Sequence, residues 1–472
     1  MARRPVGWLC LVLVGLTGCA SVNLDAGFLE VRAAVEERNG TRIVWNQGTE
    51  LDREAVDQLR SLLAKKLTVA DVVQVAMLNN RDLQAVYTEL GLAQADLVQA
   101  GLFRNPMLDA AVLFPLSGAR PDLQFGAVVG LLDALYIPLR KRVAAAQFEE
   151  AKLRVTGAVL DFAARVRRAF YVHQANEQKL ELRQTIVQAL TAALDVSRQL
   201  HEAGNISDLD LARDRVATET SRLALRSAEI EARQSREHLN SLMGVWGDLT
   251  EWEIDVRLPD VPADPPPLNG VEREALARSI NLAHARQRII AAGEQVGYDR
   301  ATSLIPGAEV GLEAEREEGW KLGPVLSVPL PLFDQGQARI GRGAAELHRA
   351  HQEYYALAVR IRSTARAVRD RVLGAQDRAR YYRDILLPLH ERVVNEGQLQ
   401  YNAMQIGIFQ LLRDRAQQIE AGVAYVEELR EYWVARADLA QILSGRLPVS
   451  DEARVGGMSG GRMRVKEGTN DH

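Results

Sequence analysis

Residues 305–336 read IPGAEVGLEAEREEGWKLGPVLSVPLPLFDQG. In the first arm Ala308, Val310, Leu312 and Ala314 fall on one side, and Glu309, Gly311, Glu313 and Glu315 on the other. After a turn at residues 317–319 the second arm alternates again. Trp320, Leu322, Pro324, Leu326 and Val328 share a face against Lys321, Gly323 and Ser327. Period two with one apolar and one charged face means strands whose two sides meet different solvents. The apolar side fits a protein core or lipid; a side with three carboxylates is polar enough to line water.

A second hairpin of this kind lies upstream, behind the helix-ending pair Asn105-Pro106. Leu108, Ala110, Val112 and Phe114 alternate with Asp109, Ala111 and Leu113; after a turn at residues 115–121, Leu123, Phe125, Ala127, Val129 and Leu131 alternate with Gln124, Gly126, Val128 and Gly130. Nearly everything else reads as helix. Thr68-Val69-Ala70-Asp71 forms a capping box and opens a helix to about Leu102, with a break expected at Asn79-Asn80. Pro138 suits a first helical position. From there to Glu202 no proline intervenes, a rod of roughly 90 Å. Its apolar residues (Val159, Phe162, Val166, Ala169, Leu180, Val187, Leu190, Leu194) follow coiled-coil spacing. Ala203-Gly204-Asn205 closes the rod, and Ser207 caps a return helix to about Met243. The same order then restarts at Val271: a helix broken near residues 279–282, the hairpin at 305–336, a long helix from about Gln335, and a return helix over residues 407–444.

The two halves align at a shift of two hundred residues. Pro106 matches Pro306, Ala203 matches Ala403, Ile206 matches Ile406, and Leu211-x-Arg213-Asp214-Arg215 matches Leu411-x-Arg413-Asp414-Arg415. Such a repeat decides architecture before local detail does. One departure is Leu387-Pro388, which interrupts the second long helix and is expected to kink it. The expected boundaries are a signal peptide at 1–18, an N-terminal segment at 19–67 with one short helix near residues 53–65, a first helix-hairpin-helix repeat at 68–245, a proline-rich linker at 246–270, a second repeat at 271–445, and a disordered tail at 446–472.

Composition bounds the function. The chain has 472 residues, 47% apolar and 25% charged, with a net charge of −4. No basic stripe with interleaved aromatics is present, so nucleic acid is not an expected partner. Histidines such as His173, His201, His238 and His284 are scattered, without metal-ligand spacing, serine elbow or phosphate loop, so no catalytic residue, cofactor or resident metal is expected. His173 on the rod reads as packing. The two cysteines, Cys10 and Cys19, both fall near the start. Arg3 and Arg4 precede an apolar run too short to span a bilayer, and no later stretch offers eighteen apolar residues. If the chain crosses a membrane, strands must do it. Four strands leave two open edges, and unpaired backbone in lipid costs several kcal/mol per group. Three copies give twelve strands; two would give eight, whose interior side chains mostly fill.

Leu16-Thr17-Gly18-Cys19 resembles a bacterial lipoprotein signal, which implies that Cys19 is the mature N-terminus and carries acyl chains. Ala20 after it, in place of aspartate, implies the outer membrane as destination. Ser327-Val328-Pro329-Leu330-Pro331-Leu332-Phe333-Asp334-x-Gly336 resembles the second-repeat signature of the TolC family of outer-membrane efflux channels. Asn79-Asn80-x-Asp82-Leu83, Arg104-Asn105-Pro106, Ala203-Gly204-x-Ile206-Ser207 and Leu239-x-x-Leu242-x-Gly244 resemble its first-repeat motifs. The resemblance covers roughly residues 68 to 445. It implies a mainly α protein with a membrane β-barrel: a homotrimeric 12-strand barrel continuous with a long α-helical barrel in the periplasm. It also implies a periplasmic adaptor and an inner-membrane transporter as partners. On that reading Glu309, Glu313 and Glu315 face the lumen, where they favour cations or form a plain solvated face. Asp208, Asp210, Arg413 and Asp414 stand at the periplasmic entrance, where they gate it or complement helix N-termini. Gln410 and Arg413 stand where the family often has aspartates, and Arg413 is a candidate lock to a first-repeat aspartate. The competing reading is a lipid-anchored periplasmic coiled-coil adaptor or tether without a barrel.

Overall fold

The computed structural model describes residues 22–448, except 24, 49, 115–120, 131–132, 264–267, 305–306 and 317–318. Cys19, the turn of the first hairpin and Pro306 therefore lie outside the described residues, as does nearly all of the expected tail.

The helices are α1 (Phe28–Asn39), α2 (Glu50–Leu63), α3 (Val69–Asn79), α4 (Arg81–Ala100), α5 (Asp133–Glu202), α6 (Asp208–Met243), α7 (Val271–Ala277), α8 (Ile280–Leu304), α9 (Gln337–Tyr381), α10 (Leu387–Asn402) and α11 (Ile408–Leu443). The strands are β1 (Met107–Leu113), β2 (Asp122–Val129), β3 (Glu309–Arg316) and β4 (Trp320–Ser327). Both hairpins form where alternation placed them. They join through an antiparallel β2–β3 pairing into one sheet of order β1-β2-β3-β4, so β1 and β4 are its open edges.

Three expectations need correction. α1 was not expected. Its buried stripe is only Phe28, Val31 and Val35, too narrow to stand out between charged residues. The rod α5 starts at Asp133, so Pro138 lies inside the helix rather than at its first position; near a terminus the one forfeited N–H bond is tolerable. Of the coiled-coil residues, Val159, Phe162, Val166, Ala169 and Leu194 are buried, whereas Leu180, Val187 and Leu190 are half-buried.

The chain divides into two compact units. The first comprises the chain up to Ala34, Ala85–Thr156 and Leu282–Ala356. It holds the sheet with the helix segments next to it in sequence. Gly336, ahead of α9, adopts φ +77°, and a side chain there would strike the Ser303 hydroxyl, so the Asp334-x-Gly336 turn demands glycine. His284 Nε2 meets Glu150 Oε1 at 3.2 Å and holds that carboxyl below its usual range.

The second unit comprises Val35–Gln84, Gly157–Asn281 and Leu357 onward. Its helices form a row. α6 packs on α5 through Thr218 Oγ1 to the Leu190 carbonyl (3.2 Å) and Ser197 Oγ to Asp214 (2.6 Å). α5 packs on α11 through Arg183–Glu420, Lys179–Glu427 and the buried Arg168–Asp438 pair (2.7 Å). α11 packs on α9 through Arg371–Asp438 (2.6 Å) and Arg378–Glu428 (2.8 Å). The lateral order is α6, α5, α11, then α9–α10.

Two motif asparagines explain themselves here. Asn79 Nδ2 donates to the carbonyls of Met243 (3.1 Å) and Gly244 (2.7 Å), and Asn80 Nδ2 to that of Leu242 (3.1 Å). They cap the C-terminus of α6, whose last carbonyls have no intrahelical partner. Gly244, at φ +67°, would press any side chain against the Asn79 carbonyl.

Among the described residues of the proline-rich stretch, 252–262 are seated rather than loose. Trp252 is buried, donates through Nε1 to Asn240 Oδ1 (2.7 Å) and lies under the Arg236 guanidinium at 4.1 Å. Gln174 Nε2 donates to the carbonyls of Asp255 and Arg257. Trp433 Nε1 donates to the Pro259 carbonyl, Tyr425 to Asp260, and Arg380 to the Pro262 carbonyl.

His173 is fully buried edge-on to Trp252. Ser235 Oγ donates to the Ala232 carbonyl, which leaves His173 Nδ1 as the donor in their 2.9 Å contact. Burial, and then Arg236, push the imidazole down to about 4, with Glu177 Oε1 3.8 Å away. The unfolded chain therefore binds a proton near pH 6.5 that the folded one refuses until about pH 4. This stability is complete above pH 6.5 and declines below it, by on the order of 3 kcal/mol at the acid end. Urea midpoints measured between pH 7 and pH 4 should fall less steeply for His173→Gln than for the parent; equal slopes would remove the assignment.

Candidate functional site

The register of the sheet sorts its side chains. Directly opposed residues share a face. One face carries Leu108, Ala110 and Val112 on β1, Leu123, Phe125, Ala127 and Val129 on β2, Val310, Leu312 and Ala314 on β3, and Leu322, Pro324 and Leu326 on β4. Leu108, Leu322 and Leu326 are 81, 74 and 68% exposed in the single chain. Trp320, with Phe125 at 6.2 Å and Arg316 over its ring, belongs to this face at the end of the hairpin turn.

The other face is charged. One row across the strands is Asp109, Gly126, Glu313, Gly323; the next is Ala111, Gln124, Glu315, Lys321. Gln124 Nε2 donates to Glu315 Oε1 at 3.2 Å. Glu309 stands opposite Ser327. The three expected glutamates thus share one face, joined by Asp109, Asp122 and Lys321, which were not singled out. Their alternation was visible, but only the register aligns them with the glutamates.

The turns between the long helices form the second location. Ser207 Oγ accepts from the Asp210 N–H (3.2 Å) and donates to the Asp210 carboxylate (2.7 Å). That bond, and then Arg213, hold Asp210 below the usual carboxylate range. Asp208 Oδ1 meets His201 Nε2 at 2.7 Å. The second turn is built differently. Gly407 caps α11 without a side-chain bond. Gln410 Nε2 donates to Asp414 (2.9 Å), and Arg413 donates back to Gln410 Oε1 (3.3 Å). Within one chain Arg413 thus engages its own helix and not a first-repeat aspartate. Gly204 sits at φ +74°, and Met404, its repeat counterpart, at φ +60° with 95% exposure.

Ahead of Pro388 the helix widens into a π turn, Tyr382–Leu386. A wider turn accommodates the proline ring and its missing donor without ending the helix. Among the described residues, no helix is long and apolar enough to cross a membrane.

No family model matches the chain. Solved structures do. The outer-membrane channel CmeC of Campylobacter jejuni superposes with a TM-score of 0.66 at 14% identity, covering 88% of this chain and 93% of that one. The fold is that of the TolC family of outer-membrane channels. The open-state outer-membrane channel MtrE of Neisseria gonorrhoeae gives a TM-score of 0.65 at 14% identity, covering 81% and 91% of the two chains. By sequence, the chain is 22% identical over 387 residues to the cobalt-zinc-cadmium resistance protein CzcC of Cupriavidus metallidurans, covering 80% of this chain and 90% of that protein.

The tip geometry yields a test. A non-glycine residue in the left-handed region costs about 1–2 kcal/mol. Gly204→Val should therefore destabilise the first turn by about that much, while Met404→Gly should cost nothing or stabilise; limited proteolysis at each turn reads the difference.

Proposed function

We propose that this chain is the outer-membrane channel subunit of a tripartite efflux system, conducting solutes passively from the periplasm to the exterior. The observation that carries the proposal is the sheet itself: four antiparallel strands with one exposed apolar face, one carboxylate face and two unpaired edges. In lipid those edges must pair, and three copies close a twelve-strand barrel with the apolar face outward and the carboxylates inward. The fold shared with outer-membrane channels supports this reading over a barrel-less tether. Cys19 would add acyl chains as an anchor. The helix-turn ends carrying Asp208, Asp210, Arg413 and Asp414 would form the entrance and meet a periplasmic adaptor bound to an inner-membrane transporter.

Leu322→Arg separates the two readings. On a sheet facing water, replacing this exposed leucine would change stability by less than about 0.5 kcal/mol. Facing lipid, it should cost about 2–4 kcal/mol near mid-membrane and lower the yield of assembled protein in outer-membrane fractions. Unchanged assembly would sink the barrel.

The conduit favours cations. Each copy contributes Asp109, Asp122, Glu309, Glu313 and Glu315 against one lysine, Lys321, on the inward face. The relation to CzcC, a cobalt-zinc-cadmium resistance protein, supports metal cations as a cargo class. In planar bilayers under a salt gradient, the triple change Glu309→Gln, Glu313→Gln and Glu315→Gln should move the reversal potential toward zero. An unmoved potential would strip these glutamates of any role in selectivity.

A further inference from the structure

One end of the sheet faces the helices. There α4 runs into β1, β2 into α5, α8 into β3, and β4 into α9. Around these crossings large apolar side chains stand open: Phe103, Leu135, Leu330, Leu332 and Phe333 are between 69 and 92% exposed. Apolar residues gathered in this way mark a contact surface. Positive charge comes next along the chain. Residues 102–104, 133–142, 298–304 and 328–342 hold seven cations and three carboxylates. The carboxylates are engaged: Asp133 by Arg104 at 2.9 Å, Asp299 by Gln295 Nε2 at 2.9 Å, and Asp334 by the Gly336 N–H at 2.8 Å. Arg140 donates to the Leu102 carbonyl at 3.1 Å. Lys141, Arg142, Arg300, Arg339 and Arg342 are exposed and have no ion pair among the described residues.

The apolar and basic residues share faces. On α5, Leu135, Pro138 and Arg142 follow three- and seven-residue spacing and so lie on one side of the helix, all exposed. Glu149 continues that side further from the sheet, and Lys152 already binds it at 2.8 Å. On α9, Arg339 and Arg342 share a side, with Glu346 one turn further from the sheet. Arg142 and Arg342 hold the same position of the two repeats, two hundred residues apart. Both helices leave the sheet at their N-termini. Helical side chains lean toward the N-terminus, so both arginines reach back toward the apolar residues.

A neighbouring copy does not account for this collar. It can approach only the edges, β1 and β4, whereas Leu135, Lys141 and Arg142 follow β2, an interior strand. A leaflet does account for it, because hydrocarbon and then phosphate come in the same order. The headgroup layer is roughly 5–7 Å deep on each side of the hydrocarbon. Arg142 starts about 10 Å along the axis from Leu135 and leans back, which brings its guanidinium into that layer. We propose that the collar is a binding site for anionic phospholipid. Lys141, Arg142, Arg300, Arg339 and Arg342 hold the phosphates, and Phe103, Leu135, Leu330, Leu332 and Phe333 meet the acyl chains. Guanidinium groups suit phosphate because they donate bidentately. The inference rests on the channel reading and adds to it a lipid preference that barrel closure does not require.

Native mass spectrometry of the full-length protein tests it. In detergent with equal amounts of phosphatidylglycerol and phosphatidylcholine, the trimer should retain the anionic lipid preferentially, and salt at about 1 M should erase the preference. Combining Lys141→Gln, Arg142→Gln and Arg342→Gln should cut the preference about tenfold while trimer mass and conductance stay as in the parent. Arg142→Lys with Arg342→Lys should keep most of it. A parent without preference, or a triple variant with the parent's preference, would overturn the lipid site alone. So would a triple variant whose reversal potential shifts toward stronger cation selectivity, since its cations would then line the pore. A photo-cross-linker at position 142 that captures a periplasmic protein and no lipid would give the collar to that protein and end the proposal. A protein monomeric by mass and without conductance would overturn the channel reading with it.

Discussion

The peptide groups along the outer edges of β1 and β4 govern this molecule. Each strand carries a row of N–H and C=O groups that one chain cannot satisfy. Water would satisfy them; hydrocarbon would not. Once the apolar face is taken as lipid-facing, closure with further copies follows from hydrogen bonding alone, and the carboxylate face is left to line the enclosed water.

Duplication supplies the strands, but the copies have diverged where they are free to. Ser207 caps one return helix and Gly407 the other. Gly204 takes a left-handed turn that Met404 must also take. A π turn precedes Pro388 in the second long helix, while α5 runs unbroken through the matching position. The return helices, Asp208–Met243 and Ile408–Leu443, kept the two-hundred-residue register. The bonds that cap their turns did not keep their pattern, and the second strand of each hairpin slipped against the other, Asp122–Val129 and Trp320–Ser327, each still showing two unlike faces.

Much of this was legible in the residues. Alternation located all four strands, because side-chain period two is imposed by the pleat itself. The Thr68–Asp71 box and the break at Asn79-Asn80 are local signals with local causes. What stayed hidden depends on distant partners. The β2–β3 pairing joins residues nearly two hundred apart, and without it Asp109 and Gln124 cannot be placed beside Glu313 and Glu315. The proline-rich stretch read as a linker because extended chain has no period; its anchoring is written in Gln174, Arg236, Trp433 and Arg380, each on another helix. Helix α1 hid behind a three-residue stripe.

That anchored stretch also has a direction in time. Residues 250–258 are held by side chains of the first repeat, among them His173, Gln174, Gln178, Arg236 and Asn240. Residues 259–262 are held by side chains of the second, Trp433, Tyr425, Gln376 and Arg380. As the polypeptide emerges from its N-terminus, the first portion can settle onto helices already delivered, whereas the rest must wait for residues more than a hundred positions later. The segment therefore behaves as a zip with two slides, and the second closes only once the helices of the second repeat have been delivered.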